Sequence, residues 1–185
     1  MDQYVESILA SKGVSKVMWG LQYYLKFVGN DDLVRYAGQI RGKKIRKKRR
    51  PFKLEKFRGV NMDSMKKLAQ IGIVTVDDML ESGNTRSKRQ SLSKKTGIEL
   101  KEILEHAKLS DLARLGGVRS IRGRLYHDAG VDCVEKIASL KDGEELIEIT
   151  SAFIDRSGFD GIPPTPKEAA NAVKDARKLP IVLEL

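Results

Sequence analysis

Apolar residues recur every three or four positions along most of this chain, and nowhere do they alternate with polar ones over the length of a strand. That period predicts an all-α fold. Near the N-terminus, Val14, Val17, Met18, Leu21, Leu25 and Val28 form one stripe of a helix, and Trp19, Tyr23 and Phe27 form a second. A helix that is apolar on two faces has to be covered on both. The aromatic stripe is therefore expected to pack within its own subdomain or against the rest of the chain. A homodimer or protein partner is the competing cover, and base stacking a third. Further on, 85–95 and 99–108 read as two helices parted by Thr96-Gly97. Asp142 with Glu145 offers a capping box for a helix through Phe153 and Ile154, and 158–164 reads as a loop. Thr165-Pro166-Lys167-Glu168 combines an N-cap Thr, Pro at the first helical position and Glu at the third. The helix it opens turns Ala169, Ala172, Val173 and Ala176 inward, and the apolar tail from Pro180 to Leu185 suits an extended segment or a pinned terminus.

A repeat sharpens this picture. Gly59-Val60 is followed thirteen residues on by Gly72-Ile73, and Gly117-Val118 by Gly130-Val131. The offset of 58 also superposes Leu54 on Leu112, Phe57 on Leu115, Thr75 on Cys133, Val76 on Val134 and Met79 on Ile137. The matches fall at turns and on one apolar face, as in a repeated supersecondary unit. Each unit, 52–80 and 110–138, reads as helix, tight turn, helix, Gly stop and new helix start. In the first, Met65, Leu68 and Ala69 form the stripe, and Thr75 with Asp78 makes an Asp form of the capping box. In the second, Ser110 caps a short helix ending at Leu115-Gly116, and the next helix presents Ile121, Leu125 and Ala129.

Two helices joined across a Gly-hydrophobic turn resemble the helix-hairpin-helix motif. The stretches Gly72-Ile73-Val74-Thr75-Val76-Asp77-Asp78-Met79-Leu80, Thr96-Gly97-Ile98, Asp111-Leu112-Ala113-Arg114-Leu115-Gly116-Gly117-Val118 and Ala129-Gly130-Val131 resemble more closely the tandem form known as domain of unknown function 4332. So does the run from Pro166 through Ala176-Arg177-Lys178-Leu179-Pro180, for a coverage of roughly 52–180. The resemblance implies tandem helix-hairpin-helix units and no established biochemical role. In such hairpins the second helix begins with unpaired amides at the positive end of its dipole, where a phosphate oxygen fits. The candidate turn residues are Gly59, Val60 and Asn61 in the first hairpin and Gly117, Val118, Arg119 and Arg122 in the second. The usual third Gly is replaced by Asn61 and Arg119. Asn tolerates left-handed backbone; Arg is expected to meet a steric cost there while offering a charged contact. The competing reading is that the hairpins only pack helices.

Charge adds a partner class. Arg41 to Arg58 holds eleven basic residues and one acid, Glu55, a balance equal to the +10 of the whole chain. Its densest part carries Arg41, Lys43, Lys44, Arg46, Lys47, Lys48, Arg49 and Arg50, and is expected to be a basic linker or strap. A nucleic-acid arm, an electrostatic membrane tether and a solvated linker compete, and the first is favoured in the absence of an apolar membrane signal. Two acid-free clusters add to it: Arg86, Lys88, Arg89, Lys94 and Lys95, and Arg114, Arg119, Arg122 and Arg124.

Catalytic chemistry is poorly supplied. Cys133 is the single cysteine and reads as a small helix-start residue; His106 and His127 lack metal spacing and read as surface or cap-proximal. Asp128 and Lys136 follow the second hairpin with no recognisable site around them. No enzyme, metal or cofactor is expected, nor a membrane span or secretory leader, and a cytoplasmic or nucleoid-associated location follows. The expected organisation is a helical subdomain over 1–40, a basic linker over 41–51 and a tandem helix-hairpin-helix domain over 52–185. The expected function is largely sequence-independent nucleic-acid binding, with duplex DNA favoured. An assembly adaptor for protein or ribonucleoprotein is the alternative.

Overall fold

The repeat predicted from glycine spacing recurs in the backbone. The computed structural model describes residues 14–46 and 51–185 and divides the chain into two units, Met1–Arg50 and Pro51–Leu185. The first holds α1 (Val14–Phe27) and α2 (Asp31–Arg46). The second holds a 3-10 turn (Leu54–Lys56), then α3 (Met62–Gln70), α4 (Val76–Gly83), α5 (Arg86–Thr96), α6 (Leu100–Leu112), α7 (Ser120–Asp128), α8 (Val134–Ser139), α9 (Gly143–Ser157) and α10 (Pro166–Ala176). The described residues are all-α; their one β-type pairing is the isolated bridge between Lys53 and Thr75.

In unit two, both predicted glycine stops close their helices the same way. After α3, Gly72 N–H donates to Ala69 O (3.0 Å) and Ile73 N–H to Leu68 O (3.0 Å); after α7, Gly130 N–H donates to His127 O (3.1 Å) and Val131 N–H to Tyr126 O (3.0 Å). Every donor and acceptor is displaced by the same 58 residues. Gly72 and Gly130 take φ of 86° and 94°, a conformation that side chains resist. Thr75 and Cys133 then stand at the N-caps of α4 and α8, and the Thr75–Asp78 capping box forms in full. The Cys133 side chain makes no capping bond. Its place is taken by Asp111, a buried carboxylate on α6 that accepts from Val134 N–H (2.8 Å) and is paired with Arg114 (2.6 Å).

Two apolar clusters flank α6. Leu54, Phe57, Met65, Leu68, Val76 and Met79 pack against one side with Ile103 and Leu109. Leu112, Leu115, Leu125, Val134 and Ile137 form the other with the inner face of α10. The Thr165–Glu168 box and the inward Ala169, Ala172, Val173 and Ala176 stand as predicted. The C-terminal tail is pinned: Leu183 is buried, and Glu184 N–H donates to Asn84 O (2.8 Å).

Several local expectations are corrected. Ser110 caps nothing; it lies inside α6 with its hydroxyl donating to His106 O (2.7 Å), because no Gly or Pro interrupts 100–112. Ala69 and Ile121 are exposed rather than inward. Asp142 caps α9, but Glu145 reaches back to Lys141 N–H (2.6 Å) instead of closing a box on Asp142. In unit one, α2 continues through Arg41, Lys43, Lys44 and Arg46, so the first half of the expected linker is helical. Lys and Arg are good helix formers and favour the negative end of the helix dipole, opposite Asp31 and Asp32 at its start. Lys47, Lys48, Arg49 and Arg50 lie outside the described residues.

An Ala at Gly130 would have open space for its methyl group, so its cost is backbone strain alone, about 1–2 kcal/mol. Gly72→Ala should match it, and the double variant should sum the two losses in urea unfolding, because the sites share no contact. A Gly130→Ala protein as stable as wild type would show that the turn does not hold its positive φ.

Candidate nucleic-acid interface

The first turn is built from the 3-10 segment upward. Leu54 and Phe57 are buried, Gly59 reverses the chain at a φ of 74°, and Asn61 N-caps α3 by accepting from Asp63 N–H (3.0 Å). Asn61 has an ordinary extended φ of −73°, so the left-handed residue is Gly59 and the third position needs no tolerance of it. Among the described residues no hydrogen bond reaches the amides of Gly59, Val60 or Asn61. Gly59, Asn61 and Met62 are exposed, with Lys56, Lys66 and Lys67 exposed in the adjoining turns. Lys66 is paired with Asp63 (3.0 Å), a carboxylate in the first turn of α3.

A second-unit arginine supports this turn from beneath. Arg124 on α7 is buried; its Nε donates to Arg58 O (2.8 Å), and its guanidinium pairs with Glu105 (2.7 Å) and Asp128 (3.3 Å). A Cβ on Gly59 would sit 3.7 Å from that Nε. Arg58 is paired with Asp160, whose carboxylate lies 3.2 Å away, and stacks over the Phe159 ring at 4.9 Å.

The second turn repeats the backbone but not the accessibility. Gly117 takes a φ of 84°, Val118 is buried, and Val118 N–H already donates to Leu115 O (3.3 Å). Arg119 stands at the N-cap of α7 in extended backbone (φ −133°), so the expected steric cost is absent. Its guanidinium donates to Ala113 O (2.7 Å) and lies 5.2 Å over the Phe52 ring. Arg122 donates to Ile162 O (2.6 Å) and meets Glu168 at 3.4 Å; Arg114 binds Asp111 and Pro180 O (2.8 Å). All four arginines of the cluster around this turn are engaged within the fold. A small pocket beside it is lined by Gly116, Gly117, Arg122, Tyr126, Glu168 and Asn171, and burial pushes the Tyr126 phenol up to about 12.

The cluster between the units is partly internal too. Arg89 is buried and donates to Gly83 O (3.1 Å) and Asn84 O (3.3 Å), and Lys88 donates to Glu81 O (2.7 Å). Arg86, Lys94 and Lys95 remain exposed. Among the described residues there is no group of His, Cys and acids able to hold a metal and no helix long and apolar enough to cross a membrane. Among the described residues of their own unit, Trp19, Tyr23 and Phe27 are 54%, 64% and 89% exposed.

His106 corrects a second expectation. It is buried in α6 rather than at the surface, with Nε2 facing Glu102 Oε1 at 3.5 Å and neither atom hydrogen-bonded. Burial pushes its pKa below 6.5, against the upward pull of Glu102 and Glu105 and with a further push down from Arg124. The imidazole is therefore neutral in the folded chain, while the unfolded chain takes up a proton near 6.5. Its contribution to stability is full above that pH and is lost as pH falls towards the folded value. Urea unfolding from pH 7.5 to 5 should show stability falling, at up to about 1.4 kcal/mol per pH unit. His106→Gln should flatten the slope; an unchanged slope would place the proton uptake elsewhere.

Compared with known proteins, residues 58–179 match the family model described as Domain of unknown function (DUF4332). No curated protein and no solved structure matches the chain.

Proposed function

The chain belongs to this domain family, and we propose that it is a non-enzymatic, largely sequence-independent nucleic-acid-binding protein whose favoured ligand is duplex DNA. The observation that carries this reading is the confinement of the entire net charge of +10 to Arg41–Arg58, a stretch that ends at an exposed turn with open amides. Phosphates are the partner class that such a block attracts most strongly, and contacts to them position a protein without reading bases.

On this reading the two units are tandem helix-hairpin-helix modules with unequal shares of the work. The first offers the amides of Val60 and Asn61 at the positive end of α3, next to Gly59. The second contributes the Gly117 turn, while Val118, Arg119 and Arg122 have internal partners that a phosphate would have to displace. The basic stretch supplies most of the attraction. Connectivity alone keeps Arg50 within about 30 Å of Gly59, since an extended chain spans at most about 3.5 Å per residue. A cytoplasmic or nucleoid-associated location suits such a partner. The competing reading, an adaptor for protein or ribonucleoprotein assembly, draws on the exposed rings of α1.

If strap and turn together neutralise about 8 phosphates, log K should fall with log salt at a slope of roughly −7 in fluorescence anisotropy with duplex DNA. Replacing Lys47, Lys48, Arg49 and Arg50 by Ala should weaken all sequences alike and reduce the slope by about 3–4. Asn61→Asp keeps a good N-cap but sets a charge against phosphate, so it should weaken binding several-fold with stability unchanged. Full affinity in both variants would exclude strap and turn, and no binding of wild type at physiological salt would favour the adaptor.

A further inference from the structure

Among the described residues, the aromatic stripe of α1 has no cover in the unit that carries it. At 100° per residue, Trp19, Tyr23 and Phe27 centre on the side of α1 opposite Leu21 and Leu25, which pack with Leu33, Val34 and Ala37 of α2. Trp19 and Tyr23 already touch in a tilted ring contact, with centroids 4.5 Å apart, so the surface is partly ordered in advance. Among the described residues, five aliphatic side chains form the core between the two helices, a small one, and helical hairpins with small cores draw stability from further association.

We propose that this face is a homodimer interface, in which α1 of two copies pack antiparallel about a two-fold axis at Tyr23. Trp19 of each copy then meets Phe27 of the other. The exposed fractions of the six rings correspond to on the order of 900 Å² removed from water, the size of a weak, concentration-dependent interface. Charge selects the direction. Because α1 and α2 run antiparallel, each hairpin has Asp31 and Asp32 at one end and Arg41, Lys43, Lys44 and Arg46 towards the other. A parallel dimer brings two basic ends together, whereas an antiparallel one sets each basic end beside the partner's acidic end. It also places a basic stretch at both ends of the bundle, about 24 Å apart along a 16-residue helix, giving one dimer two points of attachment to a polyanion.

Sedimentation equilibrium, on nuclease-treated protein in high salt so that nucleic acid cannot bridge copies, should show the mass rising from 20.7 kDa towards twice that over the micromolar range. Tyr23→Glu, on a face outside the hairpin core, should weaken association at least tenfold with helix content by circular dichroism unchanged. In a Cys133→Ser background, oxidation of Tyr23→Cys should give a covalent dimer. Phe27→Cys should not, because its two copies lie about 12 Å apart along the pair. A monomeric mass at every concentration, or association indifferent to Tyr23→Glu, overturns the interface. Cross-linking at both positions overturns the antiparallel order. None of these readouts involves nucleic acid, so the dimer and the proposed binding activity stand or fall separately.

Discussion

A single buried guanidinium ties the two units of the helical repeat together. Arg124 lies on α7, yet its Nε holds the carbonyl of Arg58 and its two amino groups are fixed by Glu105 on α6 and by Asp128. Three elements are thereby set in one geometry: the first glycine turn, the central helix and the second unit's second helix. Such a group is tolerated inside a protein because each of its three nitrogens donates to an oxygen; with its acidic partners removed it would remain as an uncompensated charge. The exposed face of Gly59 depends on the support beneath it, so the presentation of the first turn is a property of both units.

The repeat itself is backbone deep and side-chain shallow. Glycine stops, carbonyl closures and N-cap positions recur at one offset, while the polar residues around the two turns have diverged. In the first unit the turn amides have no hydrogen-bond partner among the described residues. In the second, Arg119 and Arg122 fold back onto carbonyls and a carboxylate, and the turn becomes part of the packing. On the proposed reading such divergence leaves one turn suited to a ligand and one to structure, with the dense positive charge lying on the N-terminal side of the open one.

Legibility in the sequence followed the range of the interaction. Positive-φ glycines, the Thr75–Asp78 and Thr165–Glu168 capping boxes and the α10 stripe are written within a few residues and are readable there. Where a residue's role is set far away the sequence misleads: Arg122 is bonded to Ile162, 40 positions on, and Arg114 to Pro180, 66 on, so both looked like surface cations. His106 sits four residues after Glu102, the spacing of an ordinary exposed pair, and only the packing of α6 buries it. Ser110 shows a third kind of ambiguity, since the same hydroxyl can cap a helix start or bond back to a carbonyl within one. Repulsion among like charges points to a linker in the basic stretch, yet helix propensity and the acidic start of α2 carry the helix to Arg46.

On the proposed reading the first turn receives phosphate ahead of the second. Amide chemical-shift mapping by NMR during titration with a short DNA duplex tests it at the atoms concerned. The amides of Gly59, Val60 and Asn61 should move together with those of the basic stretch, and Val118 and Arg119 should move least among the turn residues. Large shifts at Gly117 to Arg119 with a silent first turn would contradict it.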